Sequence, residues 1–183
     1  MKKLILLLII PIISVGQLIK EGSRQIHLDF HTSGLIENIG ENFSKEQFKK
    51  ALKIGNVNSI NIFGKGHHGY SYYNTKIGTR HPHLKFDLLK EQIEACHEMG
   101  VTAQVYFTVG WSQKDADDHP EWILKDKNGT TNKLEVLKKL GPNDRLPNFT
   151  WRLLAPSNGY DEFILKQVEE ICVNYDIDGF WFD

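Results

Sequence analysis

Apolar residues fall into four short runs, Gln25–His31, Val57–Phe63, Val101–Val109 and Ile177–Asp183, each with the alternation or β-branched content of a strand. Between them the period becomes helical. Ser44 stands as an N-cap with Gln47 three residues on to complete a capping box, and the stripe Phe48, Ala51, Leu52 ends at Gly55, a natural C-cap. A second helix opens at Phe86-Asp87, carries Leu88, Leu89, Ile93 and Cys96 inward and stops at Gly100; a third spans Tyr160 to Tyr175 with Phe163, Ile164, Val168 and Ile171 on one face. Strands alternating with helices predict parallel pairing through right-handed crossovers, the α/β class. Gly64, Gly66 and Gly69 follow the second run, but no Gly-x-Gly-x-x-Gly opens a helix after the first, which argues against a dinucleotide-binding fold.

The fourth run reaches Asp183 with no helix after it. Four strand–helix units are half of a (β/α)8 TIM-like barrel, which takes about 250 residues. Residues 17–183 therefore read as the N-terminal half of such a barrel domain, truncated after its fourth strand. A half-barrel leaves an open edge, which it would cover by pairing with itself or a partner, so a homo-oligomer fits this reading.

Ahead of the first strand, Lys2 and Lys3 precede the apolar run Leu4–Ile13, and Ser14-Val15-Gly16 supplies small residues before Gln17. Residues 1–16 read as a signal peptide, too short for a transmembrane helix of about 20 residues. The expected location is secreted or periplasmic, with no membrane attachment after cleavage. The 22 Lys and Arg against 23 Asp and Glu give no basic surface that would call for nucleic acid. Cys96 and Cys172 both fall at core positions of helices, where a thiol behaves as a small hydrophobe; export also leaves a bridge between them open.

In a barrel of this class chemistry gathers at the C-terminal strand ends. There the first run offers His27, Asp29 and His31 alternating onto one face. The second leads into Gly66-His67-His68-Gly69-Tyr70, a pair of imidazoles among glycines with a tyrosine following, suited to sugar hydroxyls and ring faces. His81 and His83 lie farther along that loop and serve equally to fix it. The third run ends near Trp111, a stacking platform, and Trp122 beyond it suits a short-helix core as well as a ligand. The fourth run is Gly179-Phe180-Trp181-Phe182-Asp183, and an acid ending an apolar strand is costly without a purpose. Asp183 is the candidate catalytic group. A glycosidase needs a second carboxyl, and Glu121 and Asp161 are weak choices, which puts the acid/base beyond residue 183.

His31, the Lys65-Gly66-His67-His68-Gly69-Tyr70 loop and Trp181-Phe182-Asp183 resemble the α-L-fucosidase family of glycoside hydrolases and a sister group of glycosyl hydrolases related to it. The resemblance implies a (β/α)8-like barrel, a retaining mechanism without a cofactor and a carbohydrate substrate. It also implies sugar contacts from His31, His67 and His68, and Asp183 as the nucleophile. Tyr70, Trp111, Asp29 and Trp181 complete the expected binding set. Two other readings stay open. One is a metal-dependent hydrolase using His27, Asp29, His31, His67 and His68 as ligands. The other is a non-catalytic carbohydrate-binding or truncated protein.

Overall fold

The computed structural model describes residues 23–125, 127–129, 151–157 and 159–183. The leader, residues 1–16, lies outside them. The elements are β1 (Gln25–His27), α1 (Lys45–Ile54), β2 (Ser59–Lys65), β3 (Tyr70–Ser71), β4 (Thr79–Arg80), α2 (Leu88–Glu98), β5 (Thr102–Phe107), α3 (Gln113–Asp118), a 3₁₀ turn (Pro120–Trp122), α4 (Tyr160–Asn174) and β6 (Gly179–Phe182).

Local hydrogen bonding sets the helix ends. The Ser44 side chain accepts from the N–H of Gln47 at the start of α1, Asp87 does the same for Lys90 in α2, and Ser112 for Asp115 in α3. The N–H of Gly55 closes α1 on the carbonyl of Ala51.

Four strands run parallel in the order β1-β2-β5-β6, while β3 pairs antiparallel with the end of β2 and carries β4 alongside. Side chains alternate between the two faces of this sheet. Ile60, Ile62, Ala103, Val105 and Phe107 pack with Leu52 of α1, Leu89, Ile93 and Cys96 of α2, and Tyr160, Ile164 and Ile171 of α4. Each buried Ile, Leu, Val or Phe among these contributes about 2 kcal/mol. The opposite face bears His27, Asn61, Phe63, Gln104 and Tyr106. It is an α/β fold in which the described strands form an open sheet.

Two expectations need correcting. The first strand was expected to run to His31, yet its ladder stops at His27. There the Tyr72 hydroxyl takes over, donating to the carbonyl of Phe30 at 2.8 Å and accepting from the N–H of Thr32 at 3.0 Å. Cys172 lies on the exposed side of α4 rather than in the core; Cys96 is buried, and both thiols are free. Among the described residues no helix is long and apolar enough to cross a membrane.

Candidate active site

The pairing of β2 with β5 shifts by one residue between Phe63 and Lys65. Gly64 is the extra residue, and a Cβ there would stand 2.7 Å from Val105 Cγ1. The bulge re-aims the side chains beyond it. Phe63 stacks on Tyr106 on the open face at 4.1 Å between ring centres, whereas Lys65 turns to the helix face. There its ammonium lies 2.6 Å from Asp115 Oδ2, with both side chains out of water. Ser112 Oγ donates to the same carboxylate oxygen at 2.7 Å. The pair thereby fastens α3 to β2. In turn the N–H groups of Gln113 and Lys114 donate to the carbonyls of His67 and His68 at 3.0 and 3.1 Å. Gly69 closes the loop with φ +86°, and a Cβ on it would meet Ser112 Oγ at a clashing distance.

Held in this way, His67 joins a hollow of about 370 Å³ at the C-terminal ends of β1, β2, β5 and β6. Asp29, His31, Trp181 and Asp183, all expected at the site, line it with His67. His27, Tyr106 and Trp151 complete the wall. A second cavity, of about 380 Å³, lies between the 28–43 loop, α1, α2 and β2; its walls include Phe30, Phe43, Phe48, Ile60 and Ile62 and no imidazole.

Asp183 continues the ladder beyond β6, its N–H donating to the carbonyl of Phe107 at 3.2 Å. Tyr106 donates its hydroxyl to Asp183 Oδ2 at 2.6 Å. Burial and the adjacent carboxylate push the phenol's pKa up, so it stays protonated and remains a donor. His67 Nε2 lies 3.6 Å from the same Oδ2 and 3.4 Å from the Tyr106 oxygen.

The proton positions follow from the partners. Thr108 donates its hydroxyl to the carbonyl of Trp111 at 2.7 Å, so its oxygen accepts from His67 Nδ1 at 2.8 Å. Neutral His67 thus presents a bare Nε2 to the hollow. Burial, reinforced by neighbouring His31, lowers its pKa from 6.5 to about 4 despite Asp183, so the contact with Asp183 is not an ion pair at neutral pH. His31 stacks on His67 at 4.0 Å and 20°. Its Nδ1 accepts from the N–H of His67 at 2.9 Å, and its Nε2 lies 3.2 Å from Asp29 Oδ1 as an ion-pair contact. Burial lowers the His31 pKa as well, Asp29 partly opposing it.

With Nδ1 of His31 taken up by the His67 N–H, only Nε2 of that ring is open to a metal ion. Among the described residues no group of three or more His, Cys, Asp or Glu could hold a metal ion.

Three expected binding residues do not line the hollow. His68 turns its ring edge-on to Trp151 at 5.5 Å, behind the wall. Tyr70 packs against His81 and crowds the backbone at Gly34, where a Cβ would sit 2.6 Å from its hydroxyl. Trp111 bridges to Leu153 and stands 6.4 Å from the His67 ring. His81 fixes the loop, its Nε2 donating to the carbonyl of Ser33 at 3.0 Å. Trp122 is buried in its 3₁₀ turn, stacked on His119 at 3.8 Å. Glu121 pairs with His119, and Asp161 sits in the first turn of α4.

Sequence reasoning missed Tyr106 and Trp151. The alternation of β5 could have indicated Tyr106, since it places that residue on the face of Gln104 and Thr108. Nothing near Trp151 in the chain signals its place. The Lys65–Asp115 pair was also missed, although Ser112-x-x-Asp115 is a capping pattern that marks α3.

The family described as Hypothetical glycosyl hydrolase 6 matches residues 44–183. The chain belongs to this glycosyl hydrolase family. Among solved structures, α-L-fucosidase isoenzyme 2 from Paenibacillus thiaminolyticus is 40% identical with a TM-score of 0.77, over 87% of this chain and 23% of that one. The α-fucosidase of Thermotoga maritima is 20% identical with a TM-score of 0.51, over 78% of this chain and 28% of its own. A noncanonic maltogenic α-amylase from Thermotoga neapolitana is 18% identical with a TM-score of 0.55, over 87% and 38%. The last two show likeness of fold alone. The chain of this glycosyl hydrolase family spans about a quarter of the Paenibacillus fucosidase. No curated protein matches it.

Proposed function

We propose that the chain supplies the sugar-holding half of a retaining glycoside hydrolase acting on terminal α-L-fucose, with Asp183 as nucleophile. The observation that carries this reading is the Asp183 carboxylate, held by the Tyr106 hydroxyl at 2.6 Å at the strand ends, beside a neutral His67 whose Nε2 lacks a proton. Lone pairs on His67 Nε2 and Asp183 Oδ2 face each other, and a sugar hydroxyl donating between them relieves that opposition. Trp151 and Trp181 line the hollow with aromatic surface suited to the apolar side of a sugar ring. The fucose assignment rests on the fucosidase to which the chain is 40% identical.

With Oδ2 engaged by Tyr106, Oδ1 is the oxygen we assign to attack the anomeric carbon. The C1–Oδ1 ester forms as the glycosidic C–O bond breaks, and the leaving oxygen takes a proton from an acid supplied beyond residue 183. Water then attacks the ester from the side the leaving group vacated, giving its proton to that same group now acting as base. Asp29 is the other carboxylate at the hollow, but its charge, 3.2 Å from His31 Nε2, suits it to orienting that ring.

Closure of the open sheet into a (β/α)8 barrel by following strands, and export with cleavage before Gln17, belong to the same proposal. Replacing Asp183 by Gly in the full-length protein should lower turnover of an aryl α-L-fucoside by several orders of magnitude, with azide restoring part of it. Unimpaired turnover in that variant overturns the assignment.

A further inference from the structure

The open face of β1, β2 and β5 carries amides where a parallel barrel sheet ordinarily packs branched apolar side chains. They form one hydrogen-bonded line, and its polarity is set at a backbone carbonyl, which can only accept. The Thr102 hydroxyl donates to the carbonyl of Asn58 at 3.3 Å, so its oxygen accepts from Gln104 Nε2 at 3.5 Å. That turns Gln104 Oε1 toward Ser59 Oγ at 3.0 Å and Gln25 Nε2 at 3.4 Å. The other hydrogen of Gln25 Nε2 goes to Asn61 Oδ1 at 3.1 Å. Asn61 Nδ2 is then the donor to His27 Nδ1 at 3.2 Å. A neutral imidazole that accepts at Nδ1 carries its proton on Nε2.

His27 lines the hollow, its ring edge-on to Tyr106 at 5.3 Å and to Phe63 at 5.5 Å. We propose that His27 is a substrate-positioning residue whose Nε2–H the amide line holds ready as a donor, so that the hollow grips a sugar by a donor at His27 and an acceptor at His67. This rests on the glycoside reading and adds a contact of opposite polarity to those assigned above. A sugar hydroxyl or ring oxygen accepts from His27, and a different hydroxyl donates to His67. Asn61 acts through His27: its amide is what keeps the proton on Nε2.

The test uses full-length protein with ¹⁵N-labelled histidine. Long-range ¹H–¹⁵N correlation should show His27, assigned by its loss in His27→Phe, protonated at Nε2 and bare at Nδ1. Asn61→Asp, whose carboxylate only accepts, should place a proton on Nδ1. L-Fucose binding, measured by calorimetry, should weaken by about 10-fold in His27→Phe, the scale of one lost hydrogen bond. Wild-type protein that binds no L-fucose overturns the glycoside reading and with it this role for His27. Protein that binds L-fucose but carries the His27 proton on Nδ1, or binds it equally after His27→Phe, overturns the present proposal alone.

Discussion

Replacing Asp115 by Asn leaves the Lys65 ammonium without a counter-charge in a place that water does not reach. The Lys65 side chain is 0% exposed and that of Asp115 3%, with 2.6 Å between the charged atoms. At an effective dielectric near 20, unit charges at that distance attract by about 6 kcal/mol. Desolvating each ion costs several kcal/mol, so the intact pair contributes little net, while removing one partner costs about 3–5 kcal/mol. The Phe107 and Phe163 rings, 5.6 and 5.3 Å from the ammonium, offset about 1 kcal/mol of this. Urea unfolding of the full-length protein measures the loss. The double replacement Lys65→Met with Asp115→Leu should recover most of it, because no charge is then left buried. L-Fucose binding should weaken in Asp115→Asn as well, since α3 holds the His67 and His68 carbonyls. A loss below about 1 kcal/mol, the scale of an exposed pair, would refute the reasoning.

Tyr106→Phe removes the hydrogen bond to Asp183, and kcat on an aryl fucoside should fall by about 10- to 100-fold with little change in fold, checked by circular dichroism alongside kinetics. His67 has a folded pKa near 4 against an ordinary 6.5, so the unfolded chain binds the proton first. Its contribution is therefore full above pH 6.5 and is lost as pH falls toward 4, by roughly 3 kcal/mol; unfolding at pH 7 and pH 4 should show this loss in the wild type and not in His67→Gln. Of the two thiols, Cys172 should react with a thiol reagent in native protein while Cys96, buried and pushed up to about 12, reacts only after unfolding. Labelling of both or of neither in the native state would contradict the packing of α2 and α4.

What the sequence made legible was mostly short-range. Ser44, Gly55, Asp87 and Gly100 mark helix ends because their hydrogen bonds reach only a few residues along the chain. The parallel strands were legible from their apolar runs, and Asp183 from its cost at the end of one. Long-range geometry was hidden. The early end of β1 depends on a tyrosine hydroxyl more than forty positions away, and the turning of Lys65 to the helix face depends on a bulge that only the pairing with β5 reveals. His68, Tyr70 and Trp111 have suitable chemistry, but the segments after β2 and β5 that carry them turn these side chains toward Trp151, Gly34 and Leu153. Trp151 reaches the wall with no periodic signal around it.

The central claim is that Asp183 forms a covalent bond to the sugar. Full-length protein treated with a 2-deoxy-2-fluoro-α-L-fucosyl fluoride should accumulate a glycosyl ester, since the fluorine slows its hydrolysis. Peptide mass spectrometry should then find the added sugar on the segment Gly179-Phe180-Trp181-Phe182-Asp183, at the aspartate. A label on Asp29 or any other carboxylate, or rapid turnover with Asp183 never modified, would contradict the account.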